Sequence, residues 1–180
     1  MASGGEVSYV PGMNAICGIL LLEVNEIDSV AIVLALRERH CPLYLHRTLD
    51  AVHVACDLID EVLGEVDSQL ASHLDKCKLQ AKIYAFPWVL SLGTCFPPLS
   101  EAIKLLDFLF VQGVHAIVLC AAARVQQSRS LLLGSDKPMP VLQRLPPIDA
   151  KELIKSARQI YEQIKDSGLR ERLESHPYLG

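Results

Sequence analysis

Three groups of residues in this sequence have types and spacing that chemistry could use. His115 follows Gly113-Val114 at a predicted helix start, where an imidazole could act as a base. Asp107 stands mid-helix among Leu105, Leu106, Phe108 and Leu109. His40, Cys41, His46 and His53 offer donors of the kind that bind zinc. Each has a plainer explanation. A histidine at a helix end is expected to make a local hydrogen bond. A carboxylate in apolar surroundings needs a partner, so Asp107 is expected to be buried and bonded to another helix end. The His/Cys spacing fits no closed tetrahedral set. The patterns GxSxG, HExxH and GxxxxGK[ST] are absent, so no metal or cofactor is expected, nor nucleotide binding through a phosphate loop. Trp88, with Tyr84 and Phe86 nearby, is read as core.

A fourth stretch, "SYVPGMNAICGILLLEV" from Ser8 to Val24, is unusual for where it places Pro11-Gly12. That pair normally marks a turn, yet here it opens a strongly apolar segment. Proline is at home in the first turn of a helix, and Gly12 would let a partner's backbone approach closely.

The elements that must position these residues are helical. The chain has 180 residues, which suits one domain. It is 51% hydrophobic and only 6% aromatic, with a mean hydropathy of +0.27. The longest apolar runs, Ile16 to Leu22, Val30 to Leu36 and Ala116 to Ala123, fall short of the ~18 residues a spanning helix needs. The N-terminus has no basic start and no apolar core, unlike a secretory signal, and residues 1–8 are expected to be disordered. A net charge of −4 with acids and bases interleaved argues against a nucleic-acid surface. Six cysteines without a CxxC pair suit free thiols in a reducing compartment, and so a cytoplasmic location.

Apolar residues recur at helical spacing nearly throughout. Leu99, Ala102, Ile103, Leu106, Leu109 and Phe110 predict one buried face, between Pro97-Pro98 and a stop at Gly113. Asp149 and Glu152 form a capping box, with Ile148 and Leu153 placed as its staple. Further helices are predicted at about 11–23, 27–39, 49–64, 67–76, 80–93 and 115–132. The Pro-rich stretch 133–148 is predicted to be an extended loop. The fold class is all-α, with eight or nine helices. Segment 15–22 carries no charge and 115–125 none before Arg124, so both should be buried nearly all round.

Three segments together resemble the TBC domain, the helical GTPase-activating domain for Rab-like GTPases. "YVPGMNAICGILLL" resembles its Tyr-x-Gln-Gly-Met motif. The segment from "IYAFPWVLSLG" to "AAARV" resembles its C-terminal core, including the Leu-Trp-Asp-Phe helix and Gly turn at Leu105–Phe108 and Gly113. The segment from "HCPLYLHRTLD" to "KLQAKIYAFP", residues 40–87, resembles the stretch between. "CPLYL", "FPPLSEAIKLLDFLFVQGVH" and "LPPIDAKELI…HPY" resemble in particular those members that work with a scaffold subunit as a two-component activator in mitotic exit or septation.

The resemblance implies a small Rab-like GTPase and a scaffold subunit as partners, and a location extending to the spindle pole. It implies GTPase contacts through Tyr9, Val10, Pro11, Gly12, Met13 and Asn14, and structural roles for Trp88, Asp107, Phe108 and Gly113. The family uses an arginine finger from an Ile-x-x-Asp-x-x-Arg motif and a glutamine finger from Tyr-x-Gln-Gly-Met. Pro11 stands at the glutamine position, and the arginine motif does not occur in these 180 residues. Residues 1–180 are therefore read as one partial domain, shortened on its N-terminal side. Loss of that side should leave helices 11–23 and 115–132 undercovered and an apolar patch exposed. A non-catalytic GTPase- or scaffold-binding module is the alternative.

Overall fold

Ten consecutive residues, Ala116–Val125, are buried, and this run organises the molecule. They belong to helix α8, Ala116–Gln127, in a computed structural model that describes residues 9–165 and 167–178. Alanines dominate the run, so neighbouring helices approach closely. The amphipathic helix α3, Asp50–Val66, packs on α8, and so does α11, Ala150–Gln163. α6, Phe86–Leu90, and α7, Leu99–Gln112, complete the cover. The expected burial of 115–125 is therefore met within the chain. No upstream segment is needed to cover it.

The described residues form twelve α-helices and one π-turn, with no strand. Helix α3 buries Val52, Ala55, Cys56, Ile59, Val62 and Leu63 at helical spacing. Each large side chain among them contributes ~1.5–3 kcal/mol by leaving water. In α11 the Asp149 side chain accepts from the Glu152 N–H at 3.0 Å, and Ile148 and Leu153 are both buried. That is the Asp149 half of the predicted capping box; the Glu152 carboxylate does not return to the Asp149 N–H and instead lies 3.6 Å from the Lys155 ammonium. Asp67 caps α4, Ser68–Lys76, and also takes the Arg129 Nε at 2.7 Å.

Four expectations require correction. Segment 80–93 is two short helices, α5 at Ala81–Tyr84 and α6. Pro87 in the first turn of α6 has no N–H to continue the ladder. Segment 115–132 divides at Ser128 into α8 and α9, Arg129–Leu133. Segment 27–39 is α2, Glu26–Ala35, followed by a π-turn at Leu36–His40. The stretch 133–148 contains α10, Met139–Gln143. Its prolines sit at the start, where a missing donor costs nothing. A final helix, α12, Leu169–Ser175, was not anticipated from periodicity. Residues 1–8, expected to be disordered, lie outside the described residues.

The first helix, α1, Met13–Glu23, buries Ile16, Ile19 and Leu20 but not its whole circumference. Leu22 is 62% exposed, and on α2 Ile27 is 81% exposed, with Val30 and Leu34 beside it on the helix. Of the two helices expected to be undercovered, α1 exposes apolar side chains and α8 does not, and the exposed apolar side chains of α2 were not anticipated. In α7 the buried face is Ala102, Leu105, Leu106 and Leu109, while Leu99 and Phe110 are exposed.

Candidate functional site: the Pro-Gly turn

Val10 to Met13 form a β-turn closed by the Met13 N–H donating to the Val10 carbonyl at 3.2 Å. Pro11 holds the second position, and Gly12 the third with φ 94° and ψ −29°. These values define a type II turn, whose third residue requires positive φ. Gly12 is also the residue before α1, and its carbonyl accepts from Ala15 and Ile16. Pro11 thus precedes the helix and is not in its first turn. The Val10 N–H points to the Met13 sulfur at 3.4 Å.

The turn rests on α6. A Cβ at Gly12 would lie 2.6 Å from the Leu90 carbonyl oxygen. The close approach that glycine permits is therefore to this chain's own backbone. The same helix carries Trp88, buried between Tyr84 and Phe96, each ring at 5.6 Å and edge-on. Arg124 from α8 is only 6% exposed, with its guanidinium 4.4 Å from the Phe96 ring and 5.9 Å from Trp88. Its Nη2 donates to the Pro146 carbonyl at 3.2 Å, and its Nε has no partner. The aromatic core thus fixes α6, and α6 fixes the turn.

Within the turn, Tyr9 is 66% exposed and Pro11 and Asn14 are also exposed, while Gly12 and Met13 are half-buried. Val10 is 1% exposed and faces inward. A protein partner would meet a phenol, a pyrrolidine ring and a carboxamide.

Asp107 is exposed on α7, contrary to the expected buried pairing. Its neighbours Leu105, Leu106 and Leu109 face the core, and helical geometry turns position 107 outward. Leu106 is buried. Phe108 is half-buried beneath Arg158, 5.5 Å from its ring. Gly113 ends α7 at φ 106° and ψ 146°, and a Cβ there would lie 2.7 Å from the His115 ring. His115 therefore packs against Gly113, and among the described residues its ring makes no hydrogen bond. Burial lowers its pKa below the ordinary 6.5. Cys41 is buried, His46 bonds Thr48 at 3.0 Å, and His53 packs on Phe86. Among the described residues no three metal-ligating side chains converge.

Burial also shifts groups outside the turn strongly, among them a carboxylate and a histidine. Burial pushes Asp60 up to about 6, although both its oxygens lie 3.0 Å from the Ala81 N–H. Burial pushes His176 down to about 4. Neither was singled out from sequence, because both shifts come from tertiary burial.

The fold and turn define an all-α domain that presents a rigid, outward-facing Pro-Gly turn. Comparison with known proteins supplies the lineage: the Rab-GTPase-TBC domain family matches residues 4–133, and the chain belongs to that family. It is 37% identical over 148 residues to cell division control protein 16 of Schizosaccharomyces pombe, covering 82% of this chain and 50% of the relative. It is 33% identical over 172 residues to a putative mitotic check point protein BUB2 of Dictyostelium discoideum, covering 96% and 46%. It is 33% identical over 168 residues to the mitotic check point protein BUB2 of Saccharomyces cerevisiae, covering 88% and 55%. The chain thus spans about half the length of these curated relatives. No helix among the described residues is long and apolar enough to cross a membrane.

Proposed function

We propose that this chain belongs to a GTPase-activating unit for a small Rab-like GTPase in cell-division control, at mitotic exit or septation. It docks the GTPase through the turn bearing Tyr9, Pro11, Gly12, Met13 and Asn14, and contributes neither catalytic finger. The observation that carries this reading is Pro11 itself. It is exposed in a glycine-dependent turn seated on α6, at the position where the family's motif has glutamine. A pyrrolidine ring has no amide with which to orient water. An arginine finger is worth roughly 10³–10⁵ in rate, and the family's arginine motif does not occur in the sequence. Partnership with a scaffold subunit, and a cytoplasmic or spindle-pole location, are part of the same proposal, supported by the checkpoint relatives.

The test is nucleotide-dependent binding and single-turnover GTP hydrolysis with a panel of Rab-like GTPases. The expected result is binding to the GTP-loaded form, lost on Tyr9→Ala, with hydrolysis at the intrinsic rate. Pro11→Gln should accelerate hydrolysis only when an arginine-bearing segment is also supplied. Absence of binding to any GTPase in either nucleotide state overturns the reading. Pro11 also favours a second reading, a module that binds a scaffold and no GTPase, and that result would support it.

A further inference from the structure

We propose that the cleft between α2, the π-turn and the α7–α8 corner is a socket for one large apolar side chain carried on an acidic peptide segment of a partner protein. The cleft lies apart from the Pro-Gly turn, and the proposal goes beyond the GTPase reading. Ile32 and Leu36 line it from the α2 side, Leu109, Phe110 and Val114 from the α7–α8 corner, and Tyr178 from the C-terminal segment. Its volume is about 210 Å3. Small-molecule pockets usually hold ~300–1,000 Å3, so this one is undersized for a cofactor or metabolite. It suits a single leucine- or phenylalanine-sized anchor, the form in which interfaces concentrate their binding energy.

Charge selects the occupant. His40 lines the cleft, and Arg37 and Arg39 share its π-turn. Glu38 is the one acid between residues 29 and 49, a stretch that also holds His46 and Arg47. Among the described residues neither Arg37 nor Arg39 lies within salt-bridge distance of a carboxylate. The chain as a whole is acidic, at −4. An apolar socket beside unpaired arginines on an otherwise acidic protein therefore favours an anchor flanked by aspartate or glutamate. Leu36 and His40, four residues apart, both line the cleft, while Arg39 is exposed and Arg37 half-exposed beside it.

The test is fluorescence anisotropy of short labelled peptides with a central Phe, Leu or Ala, in an Asp/Glu/Ser or a Lys/Ser background, titrated with the full chain without GTPase. Acidic peptides with Phe or Leu should bind, more weakly as salt rises, and those with Ala should not. Ala35→Trp, which fills the cleft, and the pair Arg37→Glu with Arg39→Glu should each weaken binding by about tenfold or more. Phe110→Ser provides an independent reading if Ala35→Trp fails to fold, as judged by circular dichroism. Four results overturn the proposal: no peptide binds, basic peptides bind as well as acidic ones, the cleft variants leave binding unchanged, or they abolish a self-association of the chain instead. Since no GTPase is present, failure here leaves the GTPase reading intact.

Discussion

The Tyr44 hydroxyl and the His176 Nε2 lie 2.6 Å apart across 132 residues of sequence, in the buried seam between the segment after the π-turn and the end of α12. The His176 Nδ1 lies 2.6 Å from the Leu173 carbonyl, which can only accept. That nitrogen therefore carries the proton, Nε2 is the acceptor, and Tyr44 donates. This bond joins "CPLYL" to "HPY", two segments that the sequence offers only as separate points of family resemblance.

Tyr44→Phe should therefore destabilise the fold. It leaves the buried Nε2 without a donor, which costs ~1–3 kcal/mol. Urea unfolding should show a lower midpoint with an unchanged slope. His176→Phe leaves the buried Tyr44 hydroxyl without an acceptor, and the double variant should cost less than the sum of the two single losses in a double-mutant cycle.

Stability in acid should reflect two opposing groups. His176 titrates near 4 in the fold against an ordinary value of 6.5. Its contribution is present above about 6.5 and is lost as pH falls from there towards about 4. Asp60 runs the other way, at about 6 in the fold against 3.8. Its contribution is present below 3.8 and is lost as pH rises towards about 6. Asp60→Asn, which still accepts the Ala81 N–H, should make stability fall more steeply between pH 6 and 4. Tyr44→Phe should not reproduce that change in slope. Chemical denaturation across this range checks both.

At the turn, Gly12→Ala and Pro11→Gln should differ sharply. The first forces a Cβ to 2.6 Å from the Leu90 carbonyl at φ 94° and should cost more than about 1 kcal/mol. The second changes an exposed position that any residue can occupy and should cost at most about 1 kcal/mol. Thermal melts of the two variants separate them.

Gly113→Ala should cost ~1–3 kcal/mol, because its backbone lies where side chains are strained. His115→Ala in the same chain removes the 2.7 Å clash but not the positive φ. It should rescue part of the loss and not all of it, as read by the unfolding midpoint.

Arg124→Met should leave stability unchanged or raise it by up to about 1 kcal/mol. It removes a buried Nε without a partner, keeps apolar volume against Phe96 and Trp88, and frees the exposed Pro146 carbonyl to bond water. Arg124→Lys should lower stability, because an ammonium cannot stack on the ring as a planar guanidinium does. Differential scanning calorimetry distinguishes the two.

By itself the sequence determined the helical class, most of the long helices, the Asp149 cap and the apolar exposure of α1. These follow from local rules. Side chains three and four apart share a face, and Asp149 reaches the Glu152 N–H three residues on. Short elements were not legible. Helices α5, α6 and α10 have one turn or little more, too few residues for a period to show, and a π-turn leaves no spacing signal. Only the tertiary structure decided that Gly12 meets Leu90, that Asp107 faces water, that Arg124 is enclosed by aromatic rings and that Tyr44 bonds His176. Each depends on which distant segment packs alongside, and the same side chain is neutral or charged, core or surface, according to that neighbour.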